Sequence, residues 1–201
     1  WWYLHLSGQD MVLKRAFPLL VVVSMACSAP KTASAPLAGS FTLLGEANDP
    51  QPLDQLLARS PHSVFLFFTS DCPVQKAHDE RMRATVAKYK DKGVAFYAVQ
   101  SEAGTDIAAE RAEAQRRQIG MPLLQDKGGA FADALGVEYS THVVLLESNR
   151  AIRYSGAEDS ERVHTGGGVT PYLEQALDAV LAGKDPPVAR AEPLGCPLRK
   201  H

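Results

Sequence analysis

An α/β fold with a central mixed sheet and helices on both faces is what this 201-residue sequence predicts. Three features carry the prediction. Two nearly continuous apolar runs, 63–68 (SVFLFF) and 94–99 (VAFYAV), are bounded by turn residues, the pattern of strands buried on both faces. A long amphipathic stretch between them forms a strand–helix–strand unit, whose crossover is right-handed and whose strands pair in parallel. Residues 142–146 and 152–154, joined by Ser148-Asn149, read as a β-hairpin that adds antiparallel strands to the same sheet.

The elements follow in order. Residues 41–44 (FTLL) make a short strand and 54–58 a helix of one to two turns. The main helix runs from about Cys72 to Tyr89, with Pro73 in its first turn, where the missing N–H costs nothing. Val74, Met82, Val86 and Tyr89 supply its inner face, whereas Lys76, His78, Asp79, Glu80 and Arg83 are expected in solvent. Lys92-Gly93 ends it. Thr105 is expected to cap a polar helix reaching Gln118, with its charge run Glu110 to Arg117 on a wet face. Pro122-Leu123-Leu124 is a short segment leading to Asp126, and 130–135 is a further short helix stopped by Gly136. Gly166-Gly167-Gly168 lacks the Lys-Ser/Thr of a phosphate loop and reads as a loop, and His164 as a loop residue. Thr170 is expected to cap the last helix, with Pro171 first and the stripe Leu173, Ala176, Leu177, Val180, Leu181.

The N-terminal region is organised differently. Lys14 and Arg15 followed by the apolar run 17–26 have the proportions of a signal peptide at 11–27, too short for a spanning helix. Residues 1–10 lie upstream of it and read as a non-native segment. Ser24-Met25-Ala26-Cys27 is similar to a bacterial lipoprotein box, in which Cys27 is lipidated and anchors the chain to a membrane; an ordinary cleaved signal is the alternative. Residues 28–40 form a flexible tether, 41–185 the folded domain and 186–201 a proline-rich tail carrying Cys196. Export to the periplasm or cell envelope is therefore expected.

A net charge of -2 and few aromatic residues exclude the phosphate-driven and base-stacking modes of nucleic-acid binding. With Cys27 set aside, Cys72 and Cys196 remain, a candidate disulfide in an oxidising compartment. Gln75 stands where the second cysteine of a C-x-x-C motif would be. At a helix N-terminus the Cys72 thiolate is stabilised by unpaired N–H groups and the helix dipole, with Lys76 one turn on adding to this and Asp71 opposing it. Three readings stay open: a reactive Cys72, an inert disulfide worth about 4–5 kcal/mol of chain entropy, and an unpaired buried cysteine.

The strand, Thr69-Ser70-Asp71-Cys72-Pro73, the helix and the hairpin resemble the redoxin branch of the thioredoxin-like superfamily, which includes peroxiredoxins and membrane-tethered thiol-disulfide proteins. Tyr154-Ser155-Gly156, Asp159, Ala182-Gly183 and Gly195-Cys196 resemble a subgroup of bacterial redoxin-domain proteins. The resemblance implies a thioredoxin-like fold and thiol-disulfide exchange through Cys72, with Cys196 resolving, on envelope protein thiols and disulfides, with an unidentified electron donor and no cofactor. The alternatives are a thiol peroxidase, with Thr69 donating to the sulfur or a bound oxygen, and a non-catalytic or copper-binding domain using Cys72, His142 and Cys196. The sequence departs from the family at two places. Ser140-Thr141-His142 stands for Thr-Pro-His, so the family's cis-proline is lost and a trans bond is expected in the loop that holds a substrate cysteine. Phe65 occupies the position of the proline that precedes the peroxiredoxin T-x-x-C motif, and Arg153 is the one candidate for that family's arginine, although it also reads as a solvated strand residue.

Overall fold

The computed structural model describes residues 36–163 and 168–201; the signal segment, Cys27, most of the tether, His164 and the first two residues of the triple-glycine run fall outside them. A seven-stranded mixed sheet organises the domain, in the order β2-β1-β5-β4-β3-β6-β7. Its strands are β1 (Thr42–Leu44), β2 (Pro50–Pro52), β3 (His62–Phe67), β4 (Val94–Gln100), β5 (Leu123–Gln125), β6 (Val143–Glu147) and β7 (Ile152–Gly156). Strands β3, β4 and β5 are parallel neighbours, whereas β6 runs antiparallel to β3 and β7 antiparallel to β6.

The two central apolar runs are buried on both faces because their side chains alternate between two separate cores. On one face Phe65, Phe67, Tyr97 and Val99 pack against α1 (Leu53–Leu57) and α4 (Ala130–Ala134). On the other, Val64, Leu66 and Phe96 meet α2 (Pro73–Tyr89) and α5 (Tyr172–Leu181). Ala98, on the same face of β4 as Phe96, packs beside α3 (Ile107–Arg116). A 3-10 turn (Lys90–Lys92) follows α2, and Gly93 ends it at φ +81, a left-handed conformation suited to glycine that turns the chain into β4.

Several elements differ from the sequence expectation. Strand β2, Pro-Gln-Pro, is hidden from propensity by its prolines; at the sheet edge they remove no ladder bond that the interior needs. Asp106, not Thr105, caps α3, its carboxylate accepting from the N–H groups of Ala108 and Ala109 at 2.9 and 3.3 Å. Thr105 donates instead to the Glu102 carbonyl. Helix α5 begins one residue late, with Pro171 at the cap position and no side-chain cap from Thr170.

The C-terminal segment is part of the packed domain. It pairs with β7 through Ser155 N–H to Ala189 O (3.1 Å) and Ala191 N–H to Ser155 O (3.2 Å). Ala191 packs on the α2/α5 core and Leu198 on the opposite one, so the tail crosses the end of the sheet where β3 finishes and β6 begins. Among the described residues no helix is long and apolar enough to cross a membrane.

Candidate active site at the Cys72–Cys196 disulfide

Strand β3 delivers the chain to the sheet end, and residues 68–71 turn it into α2. Cys72 is the N-cap residue of that helix (φ -82, ψ 117), its carbonyl accepting the Lys76 N–H at 3.1 Å. Extended geometry at the cap and Pro73 at the first helical position start the helix directly after the sulfur-bearing residue. Cys72 is bonded to Cys196 across 124 residues, with Cα atoms 5.9 Å apart. Cys72 is 2% exposed, whereas Cys196 is half-buried. A recess of about 240 Å³ beside the bond is lined by Thr69, Asp71, Glu102, Pro197 and Arg199.

The tail reaches Cys72 by pairing with the loop before β6. The Ser140 N–H donates to the Cys196 carbonyl (2.8 Å), the Cys196 N–H to Ser140 Oγ (3.1 Å), and the Leu198 N–H to the Glu138 carbonyl (2.8 Å). Gly195 is required by this approach: a Cβ there would lie well inside 3.0 Å of the Ser140 carbonyl oxygen and close to Thr141 Oγ1.

Thr141 occupies the family's proline position with φ +63, a left-handed conformation uncommon for a β-branched residue. Its N–H, which proline would lack, donates to Phe67 O (2.8 Å) and to Gln75 Oε1 (3.2 Å). Gln75, in the second-cysteine position of C-x-x-C, thus ties the first turn of α2 to the loop that the tail pairs with.

The polar setting is more acidic than the sequence suggested. Thr69 Oγ donates to Glu102 Oε2 at 2.8 Å, so in the disulfide form its hydroxyl is directed at a carboxylate. Glu102 also accepts from the Arg199 N–H (3.3 Å) and faces its guanidinium at 3.7 Å. Lys76 is exposed on α2.

Glu110 and Arg117 correct the expectation of a wet charge run. Both are buried and hold the 68–71 loop: the Ser70 N–H and hydroxyl donate to Glu110 at 2.9 and 2.6 Å, and Arg117 donates to the Ser70 carbonyl (3.3 Å) while stacking 4.9 Å over Phe68. Burial pushes the Glu110 carboxyl above its ordinary range, against the pull of the Ser70 bonds. Arg117 also makes two 2.7 Å bonds to Asp79, which is buried rather than in solvent. A signal was present: Glu110, Ala114 and Arg117 are spaced four and three apart, and the small Ala114 marks that stripe as the inner one.

The remaining candidates sit elsewhere. His142 is buried at the start of β6; its Nε2 lies 2.8 Å from Ser155 Oγ, and it faces a separate cavity with Arg190. Desolvation, reinforced by Arg190, lowers its pKa to about 4, so the imidazole is neutral at physiological pH. With both sulfurs bonded to each other, Cys72, His142 and Cys196 do not converge as a ligand set; among the described residues the convergent group is His78, Glu158 and Asp159. His78 is thus buried at 2% exposure, not in solvent: it lies one turn from both Val74 and Met82 on the inner stripe of α2. Arg153 is bound to Glu147, Asp185 and the Lys184 carbonyl near the start of β7, at the far end of the sheet from Cys72.

The structure superposes on that of a hypothetical protein from Sinorhizobium meliloti with a TM-score of 0.73 and 26% identity, covering 85% of this chain and 95% of that one. An uncharacterized conserved protein from Geobacillus kaustophilus gives 0.72 at 22% identity, covering 83% and 91%. A putative thioredoxin from Neisseria meningitidis gives 0.58 at 17%, covering 76% and 94%, so the fold is thioredoxin-like. No protein of curated function matches the sequence. The Redoxin profile matches residues 30–169, spanning the main sheet, α2 and the Cys72 turn, and the chain belongs to the Redoxin family.

Proposed function

We propose that this chain is a cell-envelope thiol-disulfide exchange protein in which Cys72 is the nucleophile and Cys196 the resolving cysteine. The observation that carries the reading is the Cys72–Cys196 bond at the N-cap of α2, formed by a tail that pairs with the loop preceding β6. In the reduced protein the Cys72 thiolate, stabilised by the free N–H groups and dipole of α2, attacks one sulfur of a substrate disulfide. The first substrate thiol leaves and a Cys72–substrate mixed disulfide forms. Cys196, as thiolate, then attacks the Cys72 sulfur and releases the second substrate thiol. One substrate disulfide is reduced to two thiols as the Cys72–Cys196 pair is oxidised, so the protons and two electrons balance. A donor dithiol reverses the process. Its thiolate meets the half-buried Cys196 before the buried Cys72, and Cys72 departs as the better-stabilised thiolate.

An inert staple would be better sealed than a bond beside an open recess with one half-buried cysteine. A peroxidase reading finds less support, because the Thr69 hydroxyl is directed at Glu102 and Arg153 lies at the far end of the sheet. Within the proposal, residues 11–27 direct export and lipidated Cys27 tethers the domain to a membrane, with envelope protein thiols and disulfides as substrates.

The test is a redox titration read by thiol labelling and peptide mass. A Cys72–Cys196 potential between about -120 and -270 mV, the range of exchange catalysts, supports the proposal. A bond that stays oxidised below about -300 mV is a structural staple and refutes it.

A further inference from the structure

Beyond the disulfide, α2 carries a second cluster on its inner face. His78, Glu158 and Asp159 are 2%, 4% and 3% exposed, and each offers one donor atom within 4.8 Å of the others. His78 Nδ1 lies 3.1 Å from Glu158 Oε2 and 4.0 Å from Asp159 Oδ2. Ligands sharing a tetrahedral zinc at about 2.0–2.1 Å stand roughly 3.3 Å apart, a separation that the two His78 distances bracket.

The present occupant of the cluster is Arg81, and it fits imperfectly. Its Nε lies 2.6 Å from Asp159 Oδ2, yet the N–H makes no aligned hydrogen bond. Its NH2 lies 3.1 Å from His78 Nε2. A guanidinium only donates, so Nε2 is the accepting nitrogen and the Nδ1–H faces Glu158. The second Glu158 oxygen, Oε1, is buried with no hydrogen-bond partner. A buried carboxylate oxygen left unpaired is costly and points to a missing positive partner. Arg81 is the most exposed member of the group, with a quarter of its side chain in solvent, and its NH1 also lies 3.9 Å from the buried Glu161 carboxylate.

We propose that His78, Glu158 and Asp159 form a binding site for a divalent transition-metal ion of the zinc type, which displaces the Arg81 guanidinium. One imidazole nitrogen and two carboxylates suit such an ion better than Mg²⁺, which favours oxygen ligands and retains its water. On binding, the His78 proton moves from Nδ1 to Nε2, the position that the departing Arg81 vacates. The ion pins α2, six residues beyond Cys72, to the segment that follows β7.

The site is tested by titrating Zn²⁺ into the metal-stripped, oxidised chain against a chromophoric chelator, with the thermal midpoint as a second readout. Oxidation keeps Cys72 and Cys196 out of the measurement. The expected result is a site filled one-to-one, untouched by millimolar Mg²⁺. In His78→Gln and Asp159→Asn its affinity falls by more than the ~10–100-fold typical of outer-shell partners, and the Zn²⁺-induced rise in midpoint disappears. In Arg81→Met binding is retained or tighter. No binding by the wild-type chain, wild-type binding by both ligand variants, or loss of binding in Arg81→Met would each overturn the proposal.

Discussion

Replacing Gly195 by alanine perturbs the redox couple without touching either sulfur. In the disulfide form the added methyl falls against the backbone carbonyl of Ser140 and the Thr141 hydroxyl, neither of which is the free end of a flexible side chain. Overpacking of this kind costs roughly 1–3 kcal/mol. The shift it forces also weakens the Ser140–Cys196 backbone bond and the Cys196–Ser140 Oγ bond, each worth about 0.5–1.5 kcal/mol. The sum, about 2–6 kcal/mol, falls on the oxidised state alone if the tail leaves the loop on reduction. For a two-electron couple, about 1.4 kcal/mol corresponds to 30 mV, so the potential of Gly195→Ala rises by roughly 40–130 mV. Parallel titrations of wild type and variant in glutathione and dithiothreitol buffers measure the difference. Equal potentials, with a lowered melting temperature in both redox states, would show that the tail stays docked after reduction and that its docking does not set the potential.

Three further outcomes follow from the same geometry. Asp79→Asn leaves the buried Arg117 without its anionic partner and should destabilise the fold by about 3–5 kcal/mol, read from the urea midpoint. His142, held near pKa 4 in the fold against about 6.5 unfolded, binds its proton more readily in the unfolded chain. It therefore removes stability as pH falls from about 6.5 to 4, about 2 kcal/mol by pH 5; His142→Asn should flatten the stability profile in that window, and an unchanged slope would refute the assignment. Thr141→Pro, which restores the family residue, demands φ near -65 where the chain has +63 and deletes the N–H bonded to Phe67, so a loss of at least about 2 kcal/mol is expected in denaturant melts.

Much of this architecture was legible in the residues. The apolar runs of β3 and β4 are long enough to require burial on both faces, and the Ser148-Asn149 turn fixed the β6–β7 hairpin. Cys72 was placed at the start of α2 because Pro73 can only sit comfortably there. The buried charged residues share one cause for the difference: charge alone suggests exposure. Asp79, Glu110, Arg117 and His78 all lie on inner stripes by helical spacing, but each satisfies its polarity through a partner more than thirty residues away in the chain. Such partners carry no local signature. The docking of the tail was hidden for the same reason, since its bonds run between backbone groups and depend on Gly195 having no side chain.

Gln75 in the second-cysteine position and Thr141 in the proline position each look, taken singly, like the loss of a catalytic feature. Together they describe one interlocked arrangement. A proline at 141 has no N–H, so Gln75 Oε1 has a donor there only because the residue is not proline. A cysteine at 75 would in turn leave that N–H with Phe67 O alone. With no second cysteine on α2, the partner sulfur must come from another segment. The tail supplies it by pairing with Ser140, the residue immediately before Thr141, at a distance that only glycine at 195 permits. Gln75, Thr141, Gly195 and Cys196 are therefore best regarded as a unit: restoring the family residue at 75 or 141 alone removes a contact that the others depend on, so the cost of doing so should be non-additive.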